Sequence, residues 1–451
     1  MRGFETIGSA TLIAYDDVPV LTTDPWINGD AYFGSWGHDY AIPAGQMCAI
    51  KSARFHWFSH GHPDHLNVGS LPDLAGGSFL VANHYGSRIA RELRSAGYNV
   101  EVLRDWEWRQ LSPGIRACTV ANQNQDSILL IDINGRLVID ANDSPEFGEA
   151  WRTRQIARRY PEVYLLQLHA WGGADMLNLF APDGTKLTSR DALRRPIAPR
   201  AQRAALAFGA TKFIPFSSFH RYQRTDSAWA NALVPELADY QSDAIPNAPQ
   251  MLPAFVRVDC ETDAVTPLEP PRSTLDLRTS GECGDSWSDP LEAEDKRKIT
   301  RYFQARESLQ SHFGFIEVKA GPSNVTVDLN PALRGRGISF EAPRNSLMTA
   351  IEHEVFDDML IGNFMRTTLH GVDGLYPHFT PNVAKYADNG GAKSKAELRR
   401  YFSHYYLRDP LARIMKQLSD SSEQVLRKAV PENTAMFRTA KRFYYSVAAR
   451  S

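Results

Sequence analysis

The chain has 451 residues, more than one compact core ordinarily holds, so two structural units are expected. Apolar residues make up 43% and aromatic ones 11%, enough for buried cores, which excludes wholesale disorder. Fifty basic against 52 acidic residues leave a net charge of −2, which excludes a general polyanion binder though not a local basic patch.

No stretch approaches the roughly eighteen consecutive apolar residues of a membrane helix. The amino terminus, MRGFETIGSATLIAY, has one Arg and then a strand-like pattern, unlike a secretory signal. Cys48, Cys118, Cys260 and Cys283 form no C-x-x-C pair and read as reduced thiols. Cys260 and Cys283 would bridge only in an oxidising compartment. A cytoplasmic protein without a membrane span is expected.

In chain order, Phe4 to Tyr15 reads as a strand, Asp16-Asp17 as a turn, and Val18 to Thr23 as the returning strand. Ser87 to Ala96 reads as a helix with Ser at its start. Ser127 to Ile133 and Leu137 to Ala141 flank Asn134-Gly135, the strongest short hairpin signal. Each hairpin ends in an acidic cluster, Thr23-Asp24-Pro25 and Asn142-Asp143-Ser144. Two such units more than a hundred residues apart suggest two related half-domains. Helices are expected from Pro145 to Tyr160 and over Ala201 to Phe208, with a strand at Lys212 to Phe216. The alternation favours a layered α/β domain over residues 1–245.

Prolines and acidic residues accumulate between 246 and 290, which reads as a connector. Residues 291–451 read as a mixed α+β extension, helical over Leu291 to Phe313, stranded over Phe315 to Phe340, and helical again at Leu347 to Met365 and Ala396 to Tyr406. In the third of these segments His353, Glu354, Asp357 and Asp358 read as the polar face of an amphipathic helix rather than as ligands. The extension is expected either to cover the mouth of the site or to mediate self-association into a homo-oligomer.

The chemistry concentrates in Arg54 to Leu66, RFHWFSHGHPDHL. At a strand end His60 and His62 project to one side, because side chains two apart share a face. Pro63 fits the first turn of a short helix, on which Asp64 and His65 curl back toward the same point. Imidazole nitrogens and a carboxylate converging this closely suit Zn, Mn or Fe.

A strand ending in H-x-H-x-D-H, combined with a doubled hairpin, resembles the metallo-β-lactamase fold over roughly residues 4–240. The opening Gly8-Ser9-Ala10-Thr11-Leu12-Ile13 and Thr23-Asp24-Pro25-Trp26 resemble one branch of it. That branch includes ascorbate-phosphate lactonase, N-acylphosphatidylethanolamine phospholipase D and CMP-N-acetylneuraminate hydroxylase. The resemblance implies an αββα sandwich with one or two divalent metal ions (Zn, or Fe or Mn) at one edge. It implies that His60 and His62 hold the first metal, Asp64 and His65 the second, with Asp143 bridging and His220 completing the set. One departure stands out. The family's histidine before the SILLI-type strand is absent, and Ala121-Asn122-Gln123-Asn124-Gln125-Asp126 stands there instead. His84, His169 and Asp126 are the available replacements.

The implied activity is metal-dependent hydrolysis of an ester, amide, lactone or phosphodiester in a small to medium organic substrate. A bound metal lowers the pKa of water to about 7, and Asp64 orients the nucleophile or takes its proton. The alternative on the same scaffold is a di-iron oxygenase, which would need an external electron donor because no Rieske motif is present. Trp26, Tyr32, Phe33, Trp36 and Trp171 are expected near the mouth, with Trp36 and Trp171 against substrate. Arg221 and Arg224 are candidates for gripping an anionic group. With no basic stripe, a nucleic-acid substrate is not expected.

Overall fold

A computed structural model describes residues 1–144, 148–168, 176–187, 196–240, 245, 248–408, 410 and 414. Its first sheet has eight strands, ordered Val265–Pro267, Val256–Asp259, Arg2–Ile7, Thr11–Asp16, Val18–Thr23, Phe55–Phe58, Ser78–Ala82 and Val100–Leu103. The second has seven, ordered Gln250–Met251, Lys212–Pro215, Val163–Gln167, Arg136–Asn142, Ser127–Ile133, Ile115–Ala121 and Arg109–Ser112.

Side-chain alternation explains how the sheets stack. In Ser127–Ile133, Leu129, Ile131 and Ile133 meet Phe4, Leu12, Leu21 and Trp57 of the other sheet in one core. Their neighbours Ile128 and Leu130 face outward, onto Ala150, Ala157, Ala201 and Phe208 of two helices, Glu149–Ala157 and Ala198–Phe208. The outer face of the first sheet is covered in the same way, Phe58, Phe79 and Val81 packing on Ile50, Leu71, Ile89 and Leu93. Strands apolar on both faces require cover on both, and the result is the αββα sandwich.

The Asn134-Gly135 hairpin forms as expected, with both residues at positive φ (48° and 78°) and Ile133 paired to Arg136. The amino-terminal segment differs from expectation. Phe4 to Tyr15 is broken at Gly8, whose φ of +66° starts a turn between two antiparallel strands. The Pro- and acid-rich stretch also carries structure: Val256–Asp259 pairs with Arg2–Ile7, and Val265–Pro267 pairs with Val256–Asp259. Short buried Val residues inside a polar composition make these strands hard to see in sequence. The expected helix at Leu347 to Met365 is two helices, Arg344–His353 and Phe356–Ile361, parted at Glu354, which has φ +61°.

The carboxy-terminal region builds a five-stranded sheet, ordered Leu179–Phe180, Arg366–His370, Gly337–Glu341, Phe315–Ala320 and Ser323–Asp328. Its core includes Phe303, Phe340, Phe356 and Phe379, and it also takes in Trp26 and Tyr32 from a loop of the sandwich and Trp36 and Tyr222 from the small antiparallel ribbon of Trp36–His38 with His220–Tyr222. One apolar core therefore ties the extension to the loops that carry the site. The helix Lys395–Arg408 docks Tyr401 and Tyr405 against Ala82 and Ala121. The four cysteines are unpaired. No helix among the described residues is long and apolar enough to cross a membrane.

Candidate metal centre

The strand Phe55–Phe58 delivers the motif to the sheet edge, where Asp24 fixes Ser59, the residue just before it. Asp24 is fully buried and accepts from the Ser59 backbone N–H at 2.7 Å and from the Ser59 hydroxyl at 2.6 Å. Past Pro63 the chain closes one turn, His65 and Leu66 donating their backbone N–H to the His62 carbonyl at 3.0 and 2.8 Å. That turn carries Asp64 and His65 back beside His60.

The geometry sorts the ring nitrogens. His60 Nε2 and His62 Nδ1 lie 3.0 Å apart, close enough to share one cation. His65 Nε2 is 3.3 Å from Asp64 and 3.2 Å from Asp143, while its Nδ1 is held by Asp24 at 3.0 Å. His60, His65 and Asp143 each offer an atom within 4.8 Å of the others. Asp143 follows the strand Arg136–Asn142, turned inward by Asn142 at φ +52°, and accepts a hydrogen bond from the Ser217 hydroxyl.

His220 is buried and stacks on Trp36, ring centroids 3.3 Å apart and ring planes nearly parallel. Its Nδ1 meets the Ser218 carbonyl at 3.0 Å, whereas Nε2 has no hydrogen-bond partner. A buried imidazole nitrogen without a partner is costly, and a metal bond would satisfy it. The donor set and this orphaned nitrogen fit a cation held by His60, His62, Asp64, His65, Asp143 and His220.

Electrostatics follow burial and neighbours. Burial alone pushes His220 down to about 3, keeping it neutral. Burial opposes charge on His62 too, yet the hydrogen bond and field of Asp357 hold it up at about 9. For Asp64 burial is outweighed by His65 and the Tyr32 hydroxyl, which donates at 2.6 Å, and its pKa falls to about 2. Burial lifts Asp126 to about 7.

A cavity of about 270 Å³ opens beside the motif, lined by His60, His62, Asn124, Asp126, Asp143, Met176, Asp357, Tyr376, Thr380 and Asp388 among others. Asp126 thus stands on its wall, 3.5 Å from His60 Nδ1. His84 meets the Tyr405 hydroxyl through Nδ1 at 3.2 Å, while its Nε2 is buried without a hydrogen-bond partner, and it does not line this cavity. His169 and Trp171 lie outside the described residues. Arg221 is held by Asp39 at 2.6 Å. Arg224 is fully buried between Asp226 and Asp285, at 2.9 and 2.8 Å. Trp36 backs His220 instead of facing the cavity.

Two contributors escaped the sequence reading. Asp24 ends the first hairpin as Asp143 ends the second, and that symmetry was the available signal. Asp357, read as solvated polar surface, is 3% exposed and reaches His62 Nε2 at 3.4 Å. Nothing in its local pattern distinguishes it from an ordinary helix-face carboxylate.

No protein-family model matches the chain. One curated relative, cytidine monophosphate-N-acetylneuraminic acid hydroxylase of Asterias rubens, is 25% identical over 133 residues, 28% of this chain and 20% of that protein. The chain thus matches about a fifth of that relative's length, and the relative belongs to the branch the motifs resemble. Similar solved structures include CmlA, a diiron β-hydroxylase from Streptomyces venezuelae, at TM-score 0.37 and 15% identity, covering 59% of this chain and 54% of that one. The metallo-β-lactamase fold protein YhfI from Bacillus subtilis aligns at TM-score 0.26 and 9% identity, covering 46% and 78%. A diphosphatase from the PhnP family aligns at 0.27 and 13%, covering 58% and 85%. Two facing sheets, helices on both outer faces and the H-x-H-x-D-H turn at the shared edge make the αββα sandwich that the resemblance of the motifs to the metallo-β-lactamase fold implies.

Proposed function

We propose that the protein is a non-haem iron oxygenase that hydroxylates a small organic substrate, drawing two electrons from a separate donor. The observation that carries this reading is Asp126. Where the family places a third imidazole for the first metal, this chain has a buried carboxylate on the wall of the same cavity. Asp126 now stands 3.5 Å from His60 Nδ1, and a turn of its carboxylate toward the point between His60 Nε2 and His62 Nδ1 would complete a two-histidine, one-carboxylate set, the donor composition that goes with non-haem iron, whereas three imidazoles would favour zinc. The hydroxylase name of the curated relative points the same way.

Iron bound there would supply one-electron chemistry toward dioxygen, which zinc lacks. The chain's own residues do the rest. Asp24 and Asp357 take the outer N–H groups of His65 and His62, fixing the tautomers that leave His65 Nε2 and His62 Nδ1 as donors. Tyr32 and Ser217 hold Asp64 and Asp143 in place. Met176, Tyr376 and Thr380 line the same cavity from the far side.

Hydrolysis is the second reading, favoured by the half of the site around His65, Asp64, Asp143 and His220, whose donors suit a redox-inert cation equally well. Metal analysis of protein expressed with iron and zinc both present separates the two. Iron at near-stoichiometric level, with substrate-independent oxygen uptake once a chemical reductant is added, is the expected result. Stoichiometric zinc without iron, together with cleavage of a p-nitrophenyl ester or phosphodiester, overturns the oxygenase reading.

A further inference from the structure

The cavity carries more carboxyl groups than a metal pair needs. Beyond the ligand-bearing sandwich, the carboxy-terminal region places Asp357 and Asp388 on its wall, and Asp358 lies close to His62 and Asp357. Asp357 uses one oxygen, Oδ2, toward His62, while Oδ1 is buried without any hydrogen-bond partner. Asp388 is fixed by the Tyr376 hydroxyl at 2.9 Å. No Lys or Arg lines the cavity among the described residues. The neighbouring Lys385 is paired with Glu92 at 3.2 Å. A buried carboxylate oxygen left bare is costly unless a donor arrives to meet it.

We propose that Asp357 and Asp388 bind a protonated primary amine of the substrate, so that the carboxy-terminal region selects amines while the sandwich supplies the chemistry. This rests on the reading that the cavity is the reaction chamber, but not on which metal it holds. An ammonium is a compact cation with three donors, and a small, carboxylate-bearing space suits it. A quaternary ammonium would instead be met by several aromatic faces, and Tyr376 is the one aromatic ring on the described wall. A further metal ion at His62, Asp357 and Asp358 would need both nitrogens of the His62 ring. Its Nδ1 faces His60, which leaves Nε2 as the N–H directed at Asp357.

The test uses the full-length, metal-loaded protein and two probes of the same shape, benzylamine and benzyl alcohol, titrated by calorimetry near pH 7. Benzylamine is expected to bind at least about tenfold more tightly. Asp388→Asn and Asp357→Asn are each expected to weaken benzylamine by about tenfold or more without affecting benzyl alcohol, with bound metal measured in the same samples. Equal binding of the two probes overturns the proposal, as does undiminished benzylamine binding in folded Asp388→Asn protein. Loss of an additional equivalent of divalent metal on Asp357→Asn, with amine binding unchanged, also overturns it. A zinc-only protein that still prefers benzylamine would sink the iron reading and leave this one standing. An iron protein indifferent to the amine would do the reverse.

Discussion

In the sandwich, four candidate ligands come from six consecutive residues, His60 to His65, while Asp143 follows the end of one strand and His220 opens another. In the carboxy-terminal region, the groups that reach the same cavity, Asp357, Tyr376, Thr380 and Asp388, are scattered over three segments with no shared motif. The first arrangement places metal donors by local chain geometry. The second places a wall by packing, through a core in which Phe356 and Phe379 meet Trp36 and Tyr32 of the sandwich. The lesson is a division of labour: the sandwich supplies the candidate metal donors through local chain geometry, and the extension supplies the facing wall through packing.

The sharpest way to break this division is His65→Ala. His65 contacts Asp64 and Asp143 through one nitrogen and Asp24 through the other. Bound metal, read by elemental analysis after dialysis, is expected to fall by more than about a hundredfold in affinity, beyond the effect usual for an outer partner. Retained stoichiometric metal would remove His65 from the centre.

Acid should separate the two regions next. Burial holds His38 and His56, both of the sandwich part, down to about 4 from an ordinary 6.5. A histidine whose folded pKa is depressed favours the native state above its unfolded pKa. That stability is lost as pH falls from about 6.5 toward about 4, by roughly 3 kcal/mol for each group. The histidines of the extension, His312, His353, His370, His378 and His404, are all at least partly exposed, so none pays the burial cost of His38 and His56. Denaturant titration at pH 7, 5 and 4 should therefore show the sandwich losing stability first, followed by intrinsic fluorescence and hydrogen exchange. Uniform loss across both regions would contradict the comparison.

Asp357→Asn tests the electrostatic tie between the regions at the motif itself. Weakening the acceptor for His62 Nε2 is expected to lower metal affinity about tenfold to a hundredfold, measured by competition with a chelator. An unchanged affinity would confine Asp357 to the wall.

Gly61→Ala probes their steric tie. A Cβ at Gly61 would lie 2.5 Å from the Tyr386 ring, so the ring, anchored by its hydroxyl to Glu92, must shift. A cost of about 1–3 kcal/mol is expected, with faster hydrogen exchange around Tyr386 and little change in the sandwich core. No change in either quantity would show that the extension does not press on the motif.

Much of the centre was legible because it is local. Alternation brings His60 and His62 to one face, Pro63 starts the turn that returns His65, and Asn134-Gly135 sets the hairpin that leads to Asp143. Phe4 to Tyr15 read as one strand because its composition hides the positive φ at Gly8. The strands at Val256 and Val265 were obscured by the prolines and acids around them, since pairing along an open sheet edge leaves little trace in composition.

The sequence by itself determined the motif, the hairpins and the metal-ligating chemistry, because each depends on spacing within a few residues and on the backbone preferences of Gly, Asn and Pro. Only the tertiary structure decided which nitrogen of each histidine is free, that Asp24 anchors while Asp143 faces inward, and that Asp357 closes on His62 from 295 residues away. Those outcomes follow from packing between distant segments, where burial and partner geometry, not residue type, assign a side chain its work.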